Sequence, residues 1–174
     1  TSRIMGEVFR DFRDNPDLRV AIITGAGDKF FCPGWDLKGA ADGDAVDGDY
    51  GVGGFGGLQE LRDMNKPVIA AVNGPCAGAG MSLACACDYV IAAESASFTM
   101  AYTAAGLSPD GSSSWYLPRR IGELRARELM LTNRKLSAAE AGEWGLANRV
   151  VADEELMAEA EKLAMTLAGG PTLA

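Results

Sequence analysis

Apolar residues recur along this chain at two different spacings. In residues 2 to 13, Ile4, Met5, Val8, Phe9 and Phe12 return at helical intervals with charges between them, so the spacing predicts an amphipathic helix that ends near Asn15-Pro16. Leu18 to Thr24 (LRVAIIT) is a β-branched run and predicts a buried strand. The apolar run at residues 67–72, PVIAAV, predicts a second, with a short helix over 58–64 leading into it. Asp88 to Ala92 predicts a third strand and Ser97 to Met100 a short fourth. Helical spacing returns over Glu123 to Leu131. Ser137-Ala138-Ala139-Glu140 is a capping box opening a short helix that stops at Gly145, and Asp153 opens a last helix running to about Ala168. Strands alternating with helices predict an α/β fold, in a single domain over residues 1–174.

Glycine punctuates these runs. Residues 39 to 57 hold many glycines and four aspartates and read as a mobile surface loop. Residues 106 to 122 (GLSPDGSSSWYLPRRIG) are rich in turn residues around Asp110. Residues 73 to 88, NGPCAGAGMSLACACD, join the 67–72 strand to a helix through Gly74, Gly78 and Gly80, which let the backbone turn sharply and approach a ligand closely. A helix start of this kind leaves backbone N–H groups facing outward and suits an anion or an oxyanion forming during reaction. Taken alone, it is equally a tight turn with no chemistry. Gly25-Ala26-Gly27 follows a strand but lacks the third glycine of a dinucleotide-binding turn, and Phe30 and Phe31 stand where its helix would open.

Charge and composition narrow the partners. Sixteen Lys plus Arg against 24 Asp plus Glu leave a net charge of −8, which argues against nucleic acid or an anionic membrane surface. No apolar run approaches the roughly 20 residues that span a bilayer. Cys32, Cys76, Cys85 and Cys87 lie in apolar or glycine-rich surroundings with no zinc-finger spacing, and read as reduced, packed thiols of a cytoplasmic protein. The chain contains no histidine. Ser-His-Asp and Cys-His nucleophile systems and His-bearing metal sites are therefore excluded, leaving acid–base work to Asp, Glu, Tyr, Lys or Cys.

Five segments together resemble the crotonase (enoyl-CoA hydratase/isomerase) superfamily: ITGAGDKFFCPGWDLK, KPVIAAVNGPCAGAG, the Cys87-Asp88 ending, GLSPDG, and the segment around EAGEWGLANRVV. Residues 5 to 75 look closest to crotonobetainyl-CoA (carnitinyl-CoA) hydratases, and residues 97 to 122 look closer to isomerases of the epoxyphenylacetyl-CoA type. The resemblance implies a repeated ββα spiral core and assembly as homotrimers or dimers of trimers. The strand and adenine-contacting segment usual before residue 1, and the helices usual after residue 174, are expected to be missing.

The resemblance also implies an acyl-CoA substrate, with coenzyme A entering as its thioester and no further cofactor or metal. Two backbone N–H groups, of Trp35 and of Ala79 in the Gly78-Ala79-Gly80 turn, would hold the thioester oxygen. Asp36, Leu37 and Lys38 follow the CoA-contacting loop, and Lys29 lies near enough to reach a phosphate, although both lysines read equally well as solvated charges. Hydratases of the family carry two glutamates that activate water; this chain has Ser82 and Tyr102 at those positions. Ser82 is expected to bond the preceding helical turn and Tyr102 to form a substrate-pocket wall. Asp110 stands where some isomerases of the superfamily carry a catalytic acid, and is otherwise a solvated turn aspartate. These residues point to an enoyl-CoA isomerase with Asp110 shuttling the proton, given burial that raises its pKa. Hydration, with water held by Asp110 and Tyr102, is one alternative. A non-catalytic acyl-CoA-binding or assembly module is the other.

Overall fold

In the computed structural model, residues 1–41, 43 and 48–171 are described, the side chains of residues 40 and 41 excepted. The apolar run before the central glycines does not lead directly into a helix. It forms β2 (Val68–Val72), turns at Asn73-Gly74, and continues as a separate strand, β3 (Pro75–Ala77), before α3 (Ala79–Ala86). The next segment repeats the pattern with β4 (Tyr89–Ala93), β5 (Ser97–Thr99) and, after a 3₁₀ turn at Thr103–Ala105, α4 (Ser113–Ile121). This is the expected ββα repeat.

The first strand of each unit enters one sheet and the second enters another. Together with β1 (Ala21–Thr24) and β7 (Arg149–Val151), β2 and β4 make a parallel sheet in the order β1-β2-β4-β7. The other sheet has the order β3-β5-β6, with β6 (Leu136–Ser137) antiparallel to β5. All five residues of β2 are buried, as a parallel strand covered on both faces requires. Its first N–H is satisfied by a side chain: Val68 N donates to Asp88 Oδ2 at 2.9 Å.

Helices close the core. The chain begins with α1 (Ser2–Asp14), which buries Phe9 and Phe12 and packs on a 3₁₀ turn at Phe55–Gly57. α7 (Leu156–Ala168) buries Leu156 and Ala160 and packs against β1, β2 and β4. α5 (Glu123–Thr132) packs beside α4, and α6 (Ala138–Trp144) carries both halves of the capping box. Gly145 ends α6 in the left-handed conformation, as the sequence predicts. Among the described residues, no helix is long and apolar enough to cross a membrane.

Several local expectations are corrected. The strand expected over 18–24 is only Ala21–Thr24, since pairing with β2 starts at Ala21. The helix expected over 58–64 is a series of turns, because Asp63 takes a positive φ of 59° inside it. The expected surface loop over 39–57 contains the end of α2 (Leu37–Ala41) and the 3₁₀ turn, and Gly53, Gly54, Gly56 and Gly57 in it are buried; residues 42 and 44–47 lie outside the described residues. Turn-rich 106–122 contains α4, whose buried residues Ser113, Leu117 and Ile121 follow the i, i+4, i+8 spacing of one helical face despite Pro118.

Candidate active site

Two chain segments, at residues 31–32 and 75–77, are joined into one wall by backbone contacts. Phe31 N and Cys32 N both donate to Pro75 O, at 3.1 and 3.3 Å, and Ala77 N returns a bond to Cys32 O at 2.9 Å. Behind them Asn73 stitches β2 to the 25–27 turn: Gly25 N donates to its Oδ1 at 3.0 Å, and its Nδ2 donates to Gly25 O and Gly27 O at 3.1 and 2.9 Å. Two glycines permit the closest approach. A β-carbon on Gly80 would stand 2.2 Å from the Cys32 carbonyl oxygen. One on Gly34, whose φ is +93°, would stand 2.8 Å from Ala77 O and 3.4 Å from Ala79 N.

This approach brings the backbones of Trp35 and Ala79 to one pocket, which Gly78, Tyr102 and Asp110 also line. Ala79 is the first residue of α3, so its N–H has no partner one helical turn earlier. Among the described residues, neither the Ala79 nor the Trp35 N–H donates a backbone hydrogen bond. Gly78, at φ 54°, turns its own N–H the other way, onto Thr99 O at 2.9 Å. Two unpaired donors on one wall, one of them at a helix N-terminus, suit an oxygen that gains negative charge.

Opposite chemistry comes from β5 onward. Ala101 takes a positive φ of 56°, uncommon for a residue with a side chain, and Tyr102 follows it into the core, where it is 5% exposed. Its Oη lies 2.7 Å from Ser82 Oγ, and Ser82 is fully buried. Ser82 makes the expected contact with the preceding turn, to Gly78 O at 3.5 Å, but this is the longest of its contacts. The same Oγ reaches the main-chain oxygen of Asp110 at 3.2 Å. Burial pushes the Tyr102 phenol well above the ordinary tyrosine range; the Ser82 bond opposes this and the neighbouring Asp110 carboxylate adds to it. Tyr102 thus lines the pocket with a phenol kept protonated.

Asp110 lines the pocket but is exposed, so the burial that the isomerase expectation requires is not supplied by its surroundings. Leu37 also lines the pocket and is 64% exposed. The remaining expected contacts are not among the pocket-lining residues. Asp36 Oδ1 accepts from Lys38 N and Gly39 N at 3.0 and 3.2 Å and so caps α2. Lys38 and Lys29 are exposed. Gly80 does not line the pocket; its lack of a side chain serves the contact with Cys32. Tyr50, Phe55 and Leu107, which complete the apolar lining, carry no local sequence signal, because they meet only through the fold.

The four cysteines are free thiols, with Cys76, Cys85 and Cys87 buried. Burial raises the pKa of each of these three, that of Cys85 to about 11. Among the described residues, no group of three or more Cys, Asp or Glu side chains is arranged to hold a metal.

Comparison with known proteins gives a consistent result. The chain matches the enoyl-CoA hydratase/isomerase family over residues 1–174. Carnitinyl-CoA dehydratase of Proteus mirabilis is 52% identical over 174 residues, which are 100% of this chain and 67% of that protein. The carnitinyl-CoA dehydratase of Salmonella typhi is 51% identical over the same shares. These matches take in residues 97–122 together with the rest. Enoyl-CoA hydratase from Mycobacterium tuberculosis superposes with a TM-score of 0.83 at 34% identity, over 96% of this chain and 69% of that one. The Mycobacterium smegmatis enoyl-CoA hydratase gives 0.82 at 33% identity, over 97% and 69%. With its ββα repeat, its joined glycine loops and these matches, the chain belongs to the enoyl-CoA hydratase/isomerase family, the crotonase superfamily.

Proposed function

We propose that this protein reversibly adds water across the 2,3 double bond of an enoyl-CoA thioester, with crotonobetainyl-CoA and carnitinyl-CoA as the substrate pair. The observation that carries this reading is the 52% identity to a carnitinyl-CoA dehydratase along the whole chain. It moves the reading away from the isomerase that the acidic residues alone suggest.

The reaction needs few groups. The thioester oxygen accepts from the Trp35 and Ala79 N–H groups. Asp110 takes a proton from water as the water oxygen attacks C3. The π electrons move onto the thioester oxygen, and the enolate forms. Preorganised donors stabilise that charge by roughly 3 kcal/mol each. Collapse of the enolate returns the proton from Asp110 to C2, and the carboxylate is regenerated. Tyr102, held protonated, donates a hydrogen bond to the water. Run backwards, the same steps dehydrate carnitinyl-CoA. Coenzyme A arrives as part of the substrate, with the Asp36-Leu37-Lys38 segment and Lys29 on the side where its phosphates would lie.

A second reading, isomerisation of a 3-enoyl-CoA, is favoured by one observation: Asp110 is the single carboxylate among the described residues lining the pocket. Adding crotonobetainyl-CoA, crotonyl-CoA and a 3-enoyl-CoA separately in deuterated buffer distinguishes the readings. Loss of conjugated absorbance, with deuterium at C2 of the product, is the expected result. Conjugation gained from the 3-enoyl-CoA without hydration would replace the hydratase with the isomerase. Tight binding with no exchange at C2 would leave a non-catalytic module.

A further inference from the structure

Two hydroxyls occupy the positions where the resemblance places the hydratases' glutamates, and the structure joins them to each other. Ser82 Oγ has three oxygens within reach: Tyr102 Oη at 2.7 Å, Asp110 O at 3.2 Å and Gly78 O at 3.5 Å. A serine carries one proton and can donate to only one of them at a time. Gly78 O already accepts from Met81 N and Ser82 N, at 2.9 and 3.1 Å, and Asp110 O already accepts from Ser113 N at 2.9 Å. The phenol oxygen is the nearest acceptor of the three.

The direction of this one bond decides what the tyrosine offers the substrate. If Tyr102 donates to Ser82, the phenol shows only lone pairs to the pocket. If Ser82 donates to Tyr102, the phenol proton is free to point at Asp110 or at a water beside it.

We propose that Ser82 is a positioning residue whose hydroxyl donates to Tyr102 and thereby turns the phenol proton into the pocket, toward the water that Asp110 activates. Burial, which keeps the phenol protonated, makes the pair a donor rather than a base. The kinetic consequence rests on the hydratase reading; the hydrogen bond itself does not.

The test compares Ser82→Ala, Tyr102→Phe and the double variant in crotonobetainyl-CoA hydration, with kcat and KM measured separately. Ser82→Ala is expected to lower kcat by about 10- to 100-fold, the range of a misplaced proton donor. KM for the thioester should move less than about threefold, because the oxyanion donors are backbone groups on other residues. Since Ser82 acts through Tyr102, the double variant should be no slower than Tyr102→Phe. Full kcat in Ser82→Ala, or losses that multiply in the double variant, would overturn the proposal. A second measurement is independent of turnover: the ring carbon Cζ of Tyr102, whose NMR shift reports the hydrogen bond that the phenol oxygen accepts. It should move in Ser82→Ala, and an unchanged signal would also overturn the proposal. A wild type that hydrates nothing yet shows this NMR change would remove the hydratase reading and leave the pair standing.

Discussion

Gly80 lies against the carbonyl of Cys32 so closely that a β-carbon would be 2.2 Å from its oxygen. That contact clamps the helix start carrying Ala79 onto the loop carrying Trp35. Gly80→Ala must push the two apart or tilt the helix. The expected result is a loss of about 1–3 kcal/mol of stability by denaturant unfolding. Hydration should fall by about 100-fold or more, because a shift of about 1 Å in a catalytic donor has that effect. A variant with wild-type kcat would show that the joined loops do not hold the reacting oxygen.

Asp110 is the proton acceptor in the proposed reaction, and it is exposed. Asp110→Asn keeps the shape and removes the base. Turnover is expected to fall by about 100-fold or more, with binding of a CoA thioester nearly unchanged in calorimetry. Stability should stay within about 0.5 kcal/mol, as for other surface substitutions. Equal turnover in the variant would remove Asp110 from the mechanism.

Cys85 couples stability to alkaline pH. Burial raises its thiol from 9.0 to about 11, with Arg120 opposing. Below pH 9 folded and unfolded chains both hold this proton; above it the unfolded chain loses the proton first, so stability falls until the folded thiol also ionises near 11. The cost over that window is about 2 to 3 kcal/mol. Urea unfolding of the wild type and of Cys85→Ala between neutral and alkaline pH should show a shallower decline in the variant. Parallel declines would mean that the thiol stays unperturbed.

Ser137 is a local device without a part in the chemistry. Its Oγ accepts from Glu140 N at 3.2 Å, and Glu140 Oε2 accepts from Ser137 N at 3.0 Å. Ser137→Ala is expected to cost about 1 kcal/mol and to leave kcat and KM unchanged. A change in kcat would tie α6 to the site.

Features written in a few consecutive residues were legible in the sequence. The α1 periodicity, the apolar run of β2, the capping box at Ser137 and the stop at Gly145 each depend on neighbours within about one or two helical turns. The three residues of β3 were not legible. Pro75 to Ala77 form a strand because Ser97 to Thr99 and Cys32 lie beside them, not because of their own propensity. The start of α4 looked like a turn because Pro109, Gly111 and three serines precede its apolar face, and burial of Leu117 and Ile121 decided the matter.

The candidate site divides in the same way. Glycines at 34, 78 and 80, the outward N–H of Ala79, and the absence of histidine are properties of the sequence, since each follows from what a residue has or lacks. The sequence thereby determined that backbone groups could hold an oxyanion and that acid–base work would fall to Asp, Glu, Tyr, Lys or Cys. Only the tertiary structure decided which oxygens of Ser82, Tyr102 and Asp110 meet. Their side-chain and main-chain oxygens come within hydrogen-bonding distance although Ser82 lies 20 and 28 residues from the others. A hydroxyl's partner is whichever oxygen the fold leaves nearest, and that is set by packing between α3 and the segment after β5, which no local pattern encodes.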